Sequence, residues 1–338
     1  MRNEGPHLLE WLAHHQAAGV TDFVITSNDC ADGTDAMLDV LQAAGIVVHL
    51  PLTPGAARPI QWQALRAAGA HPLAGAADWI ICIDSDEFVS LAEPLGTLSD
   101  LIAALPEGAD AVTLPWRLFG NDGHVAAEPG LTLERFTRAA PADIALPSAH
   151  FFKTLFRRGA FGAFGVHRPK PAGGGKPPLW ADADGRLLPP AFGAAEARIN
   201  LFGLTTARGL VELNHYSLRS VEEFMSKRAR GLPNHTDRAV GLGYWVERNF
   251  NAELAPRIAR MLPATRAALA DLRRIGDLAR LEAAACAWHR DHLARVMHDP
   301  AEVKLFWQLV LAGDSTPPVP AETRAHLRRL SGARHAHG

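Results

Sequence analysis

Apolar positions recur with two different periods through the first hundred residues. Leu8, Leu9, Trp11 and Leu12 fall at helical spacing, with His15 and Gln16 one turn on, and Gly19 stops the run. Residues 20–26 (V-T-D-F-V-I-T) then read as a strand, 27–34 as a turn-rich loop, 35–43 as a helix closed by Gly45, and 46–50 as a second strand. A loop over 51–59 leads to a helix over 60–68. A short apolar run, 79–83 (W-I-I-C-I), reads as a strand buried on both faces. Strand and helix alternating in this way predict an α/β fold with a parallel sheet. The alternation starts abruptly, because no full strand precedes Arg2.

Downstream, 97–105 reads as a capped helix and 109–119 as an apolar strand interrupted by Pro115. Residues 131–137 and 151–157 are further expected strands. The stretch 169–190 is dense in Gly and Pro and reads as a long loop able to cover a site. A late strand over 210–218 runs into a helix whose start is marked by Ser220, with Glu223 three residues on. From about residue 252 the spacing becomes helical and rich in Ala, Leu and Arg. The expected organisation is a domain over 1–250, a helical extension over 251–330 and a disordered tail over 331–338, with no internal repeats.

Composition narrows the function classes. The chain has 338 residues, 48% hydrophobic and 21% charged, which fits an ordinary soluble globular protein. A formal charge of −2 gives no basic field to attract nucleic acid or anionic lipid. There is no apolar run of the ~20 residues a spanning helix needs, and no signal peptide is apparent. Cys30, Cys82 and Cys286 are isolated, so neither a disulfide framework nor a thiolate zinc site is indicated. The expected location is the cytoplasm, with at most a peripheral position at the inner membrane.

Candidate chemistry begins at Asp84-Ser85-Asp86-Glu87, where the third strand ends. Alternation puts Asp84 and Asp86 on one side at the strand's carboxyl end, where open α/β sheets bind ligands. Two carboxylates that close repel unless a cation lies between them, and a divalent metal is the usual one. The plain alternative is a solvated acidic turn. His215, at the end of the late strand, suits a neutral third ligand, although lone histidines are more often structural. Arg2, Asn3 and Glu4 either contact a nucleotide or merely cap a helix. Asp29 and Asp32 lie in an Asx-rich loop suited to a ribose or base, or, for Asp32, to a helix N-cap. Asp122 is a candidate base or part of a tight Asn-Asp-Gly turn. Two basic groups, His167-Arg168-Lys170 and Lys227-Arg230, suit a diphosphate or form solvated faces.

In order along the chain, R-N-E-G-P-x-L-L-E-W-L-x-H-H, G-V-T-D-F-V-I-T-S-N-D-C-A-D-G-T-D, D-W-I-I-C-I-D-S-D-E-F, W-R-L-F-G, V-H-R-P-K and L-N-H-Y-x-x-R-S-x-E-x-F-x-x-K-x-x-R-G resemble bacterial family-2-like glycosyltransferases of the GT-A type, related to the family 92 group. The resemblance covers roughly residues 1–244. It implies a GT-A fold, a Rossmann-like α/β/α domain with a mostly parallel sheet. It also implies a UDP- or GDP-sugar donor and a glycan, lipid-linked or small acceptor, with no nucleic-acid partner. By that resemblance Asp84, Asp86 and His215 hold Mn²⁺ or Mg²⁺, with Asp84 also toward the ribose. Arg2, Asn3, Glu4, Asp29 and Asp32 then lie on nucleotide-binding loops, and the transfer inverts the sugar. Asp122, with Glu87 as its competitor, is the expected base. Other readings are a nucleotidyltransferase-like metal and nucleotide enzyme, or a catalytically silent nucleotide-sugar-binding module.

Overall fold

In the computed structural model, which describes all residues except 56–58, 174–175, 231–239, 319–321, 323–324 and 327–338, the chain opens with helix α1 (Gly5–Ala17). Leu8, Leu9 and Leu12 are fully buried, each contributing about 1.5–3 kcal/mol by leaving water. Strands β1 (Val24–Ser27) and β2 (Val48–Pro51) pair in parallel, with α2 (Thr34–Ala43) crossing between them. The Met1 amino group donates to the Thr26 carbonyl, and the Asn28 N–H donates to the Met1 carbonyl at 3.1 Å. The residues ahead of α1 therefore lie against the end of β1.

Helices α3 (Ile60–Ala70) and α4 (Pro72–Ala76) lead into the main sheet. Its strands are β3 (Trp79–Ile81), β4 (Glu87–Leu91), β5 (Ala111–Leu118), β7 (Phe152–Arg157) and β11 (Val211–His215), hydrogen-bonded in the order β3-β7-β5-β11-β4, with β10 (Trp180–Ala181) against β5. Strand β5 runs parallel to β11 and β10, whereas β3–β7, β5–β7 and β11–β4 are antiparallel. The expected mostly parallel sheet is therefore a mixed one, and the fold is mixed α/β. Small pairs complete the strands: β6 (Arg138–Ala139) with β12 (Glu253–Leu254), and β8 (Phe161–Ala163) with β9 (Lys170–Pro171).

Three sequence expectations change here. Strand β3 is the edge of the sheet and only half-buried, its Trp79 lying under the Arg157 guanidinium, rather than a strand buried on both faces. The expected strand over 131–137 contains a one-turn helix, α6 (Thr132–Arg135). Its free N-terminal N–H groups find a partner in α1, because the buried Glu10 carboxylate accepts from Thr132 and Leu133 at 2.9 and 3.0 Å. Strand β4 starts on Glu87, the last acidic residue of the D-x-D stretch, which the sequence reading placed at the end of the preceding strand.

Beyond α5 (Leu98–Ala103), α7 (Pro190–Ala194), α8 (Val221–Arg230) and α9 (Leu242–Val246), the chain ends in α10 (Leu262–Arg273), α11 (Leu278–Val296) and α12 (Pro300–Ala312). Leu269, Leu272 and Leu278 join the same apolar core as α1 and the sheet. At Gly5 an added Cβ would lie 2.5 Å from the Ala285 side chain, so glycine allows α11 to meet the start of α1. Helix α12 packs with α8 and α9 through Phe224, Trp245 and Leu309. The expected tail over 331–338 lies outside the described residues.

Candidate active site

Strand β4 sorts its side chains by alternation. Phe88 faces α1 and meets the His14 ring edge-on, while Glu87 faces the other way with His215, its register partner on β11. Trp116 of β5 lies on that same side, its ring 4.2 Å from the His215 ring, and its indole N–H donates to Glu87 Oε1 at 2.6 Å. Around this floor gather Asp84, Asp86, Lys153, His167 and Lys227.

The two aspartates of the D-x-D do not share one cation. Both sit in the turn between β3 and β4 rather than on a strand. Asp84 Oδ2 accepts from Lys153 Nζ at 2.8 Å and Oδ1 from Gln61 Nε2 at 3.2 Å. Its side chain is 43% exposed, so it is the open carboxylate of the group. Asp86 is buried. Its Oδ2 accepts from Lys227 Nζ at 2.6 Å, and its Oδ1 lies 3.6 Å from His215 Nε2. Burial alone would raise the Asp86 pKa, but the Lys227 ammonium and His215 outweigh it and hold the carboxyl well below the ordinary range. His215 moves the other way: burial lowers its pKa against the pull of Asp86, which favours the neutral imidazole that a metal ligand must be. The ring's Nδ1 is buried without a hydrogen-bond partner.

Lys153 is the residue that sequence reading missed. It is 1% exposed and donates to Asp84 Oδ2 and to the Val166 carbonyl, with Glu87 Oε2 3.5 Å away. Burial works against its charge, yet Asp84 and Glu87 outweigh that and keep the ammonium protonated above its usual range. The signal was a lysine inside an otherwise apolar strand, F-F-K-T-L-F. A buried lysine implies buried anions, and β7 pairs directly with β3, the strand that leads into the D-x-D. Burial pushes the Glu87 carboxyl up to about 8, Lys153 opposing, and burial with Lys153 lowers His167 to about 4. Gly165 makes the V-H-R turn possible, because a Cβ there would lie 2.0 Å from the Arg168 carbonyl oxygen. That turn delivers the Val166 carbonyl to Lys153 and the His167 ring to the edge of Trp116. Arg219, also missed, adopts a left-handed φ of 57°, reaches the Ser85 carbonyl at 3.4 Å and lies 3.8 Å from Glu4.

The other expected residues divide. Glu4 is buried beside Arg219, and Asn3 accepts from the Ala31 N–H at 2.8 Å, so both close the loop onto α1's start. Arg2 and Asp29 are exposed on that rim. Asp32 accepts from the Gly5 and Thr34 N–H groups and the Thr34 hydroxyl, and it meets His289 of α11 at 3.0 Å. Asp122 accepts from the Thr137 N–H and hydroxyl at 2.9 and 2.7 Å. Arg168 is buried over the Trp180 and Phe192 rings and donates to the carbonyls of Phe192 and Gly193. Lys170 pairs loosely with Glu196. The geometry gathers Asp84, Asp86, Glu87, His167, His215 and Lys227, and it does not bring Asp122, Arg168 or Lys170 to them. The Arg230 side chain lies outside the described residues.

No group of three His, Cys, Asp or Glu side chains is arranged to hold a metal among the described residues. The Asp86–His215 pair does fit as two protein donors, a carboxylate and a neutral imidazole side by side. Mg²⁺ in particular is commonly held by one or two protein groups, with water and substrate phosphates completing its shell.

Comparison with known families supports a glycosyltransferase. More particularly, residues 4–169 match the model of glycosyltransferase family 92, and the chain is related to that family. The matched span includes the D-x-D, Trp116, Lys153 and His167; His215 and Lys227 lie beyond it. No curated protein matches the chain. Among the described residues no helix is long and apolar enough to cross a membrane.

Proposed function

We propose that the chain is a metal-assisted, GT-A-type transferase that moves a sugar from a UDP- or GDP-sugar to an acceptor hydroxyl of a glycan, lipid-linked or small molecule. The observation that carries this reading is the buried Asp86 carboxylate flanked by His215 and Lys227, inside a cluster whose first part lies in the family match. Mn²⁺ or Mg²⁺ would be held by Asp86 and His215, with Asp84 the exposed carboxylate beside them, and would neutralise charge on the departing diphosphate. The chain's own residues supply the rest. Lys227 is positioned to turn from Asp86 toward the diphosphate, Lys153 fixes Asp84, and Trp116 with Glu87 forms the dry floor that strengthens these charges. Glu87 is fully buried and its oxygens are occupied, so in this reading it positions the turn and is not the base.

The test is calorimetric titration of UDP and GDP with and without Mn²⁺ or Mg²⁺, paired with assay of a nucleotide-sugar panel. Metal-dependent binding that Asp86→Asn abolishes is the expected outcome. Absence of any nucleoside diphosphate binding with either metal would overturn the reading. One observation favours a second version: Lys227 and Lys153 already place positive charge on both aspartates. Turnover that survives complete chelation would pass the charge-neutralising role to those lysines.

A further inference from the structure

On the face of the sheet away from the D-x-D cluster lies a cavity of about 420 Å³ lined by Asp184, Arg186, Thr205, Thr206, Arg208 and Arg257. Arg208 is only 9% exposed. Its Nη1 donates to the Pro115 carbonyl at 3.3 Å, its nearest carboxylate is Glu212 at 3.8 Å, and its Nε is buried with no partner. Glu212 alternates with Leu213 and His215 on β11, so its carboxylate and the guanidinium beside it lie on the opposite face of the sheet from the candidate active site.

The lining is short of negative charge. Asp184 is its one carboxylate against three guanidinium groups. Asp184 Oδ1 already accepts from the Arg208 and Gly209 N–H groups at 3.0 and 2.6 Å, and Oδ2 lies 3.3 Å from Arg186. Arg257 donates to the Arg208 carbonyl at 2.7 Å and forms no ion pair among the described residues. Arg117, the next guanidinium, is committed to Glu253 at 2.7 Å. Burial lowers the Arg208 pKa to about 10 against the pull of Glu212, and Arg117 and Arg257 add repulsion. A buried, underpaired cation of this kind is costly unless a ligand completes it.

We propose that this cavity binds a phosphate-class oxyanion carried on a small organic body such as a sugar phosphate. Guanidinium forks match tetrahedral oxyanions with paired N–H donors, and the threonine hydroxyls at the rim add neutral donors. The volume exceeds that of the bare ion and leaves room for a body of sugar size. The site is independent of the transferase reading, since it shares no residue with the D-x-D cluster.

The test is titration of inorganic phosphate, then of a hexose phosphate, into metal-free protein, followed by thermal stabilisation and calorimetry. Saturable binding is expected for the unaltered chain. Arg257→Gln and the exposed Arg186→Gln should each weaken it roughly ten-fold, the loss of one charge-assisted pair. Lys170→Gln, at a half-exposed lysine outside both sites, should leave it unchanged. No saturable binding, binding as tight as that of the unaltered chain in both arginine variants, or loss of binding in Lys170→Gln would each overturn the proposal. Arg186 is exposed, so its variant remains folded even if Arg257→Gln does not.

Discussion

Two buried aspartates, Asp32 and Asp86, are exposed to nearly the same small extent, 5% and 7%, and are held in opposite ways. Asp32 spends its oxygens on two backbone N–H groups, a hydroxyl two residues away and the ring of His289. Backbone partners cannot leave without unwinding α1 or α2, so Asp32 is committed to the fold. Asp86 accepts from the end of one lysine side chain, which an incoming cation can displace, and lies beside one imidazole, which can share that cation. A carboxylate held by backbone is architecture, and one held by side-chain cations is available for chemistry. Sequence spacing alone put both on the list of ligand-binding residues, because burial and partner type are properties of the folded chain.

The sharpest way to break that distinction is to neutralise each aspartate. Asp86→Asn should lower transferase turnover by ~10³-fold, about 4 kcal/mol of barrier, with little change in melting temperature. Asp32→Ala should do the reverse, leaving kcat within a few-fold while costing about 2–3 kcal/mol of stability from a lost cap and a lost buried pair. Denaturation curves and a steady-state assay on both variants decide it. If Asp32→Ala lost activity at unchanged stability, Asp32 would belong to the site.

Lys153 tests the same rule from the cation side. It is anchored on one face by the Val166 carbonyl and on the other by Asp84. Lys153→Met removes the buried cation between Asp84 and Glu87 and takes from Asp84 its ion pair. It should cost about 3 kcal/mol in stability and also raise KM for the nucleotide-sugar, whereas Lys153→Arg should recover part of both. A stability loss with unchanged kinetics would make Lys153 purely structural.

How much of this was readable beforehand follows from the same contrast. The α1–β1–α2–β2 order was legible because each apolar run is short, periodic and stopped by Gly19 or Gly45. Strand β4 was not, since it opens on Glu87, an acidic residue that the Trp116 indole, the Asp84 N–H and Lys153 make tolerable inside the sheet. Helix α6 was not, since its first N–H groups depend on Glu10, more than a hundred residues earlier. The mixed strand order was invisible for a related reason, because the direction in which a strand pairs is not written in its own residues. At the site, the residues with dense local motifs, Asp84, Asp86, His215 and Lys227, came together as a group. Trp116 and Arg219 were visible inside quoted motifs without a role, and their roles depend on which neighbours the sheet supplies.

The smallest expected effect separates the two sides of β4 by pH. His14, behind the strand, is fully buried and bonded to the Val89 carbonyl at 2.7 Å. Burial lowers its pKa to about 4, Val89 opposing, against 6.5 when unfolded. The folded chain therefore needs it neutral, and its contribution is complete above pH 6.5 and lost as pH falls from 6.5 toward 4. Glu87, on the mouth side, has its folded pKa raised to about 8 from 4.5. Its contribution is complete below pH 4.5 and declines as pH rises toward 8. Between pH 7 and 5 the His14 term amounts to about 2 kcal/mol. His14→Gln should remove about that much of the acid-side loss in urea unfolding, while leaving the alkaline decline in place. Glu87→Gln should remove a decline that runs from pH 4.5 to 8, and so expose in full the His14 loss between pH 7 and 5, where the two groups oppose each other. If His14→Gln kept the full acid slope, His15, whose pKa burial also lowers, would be the residue that carries it.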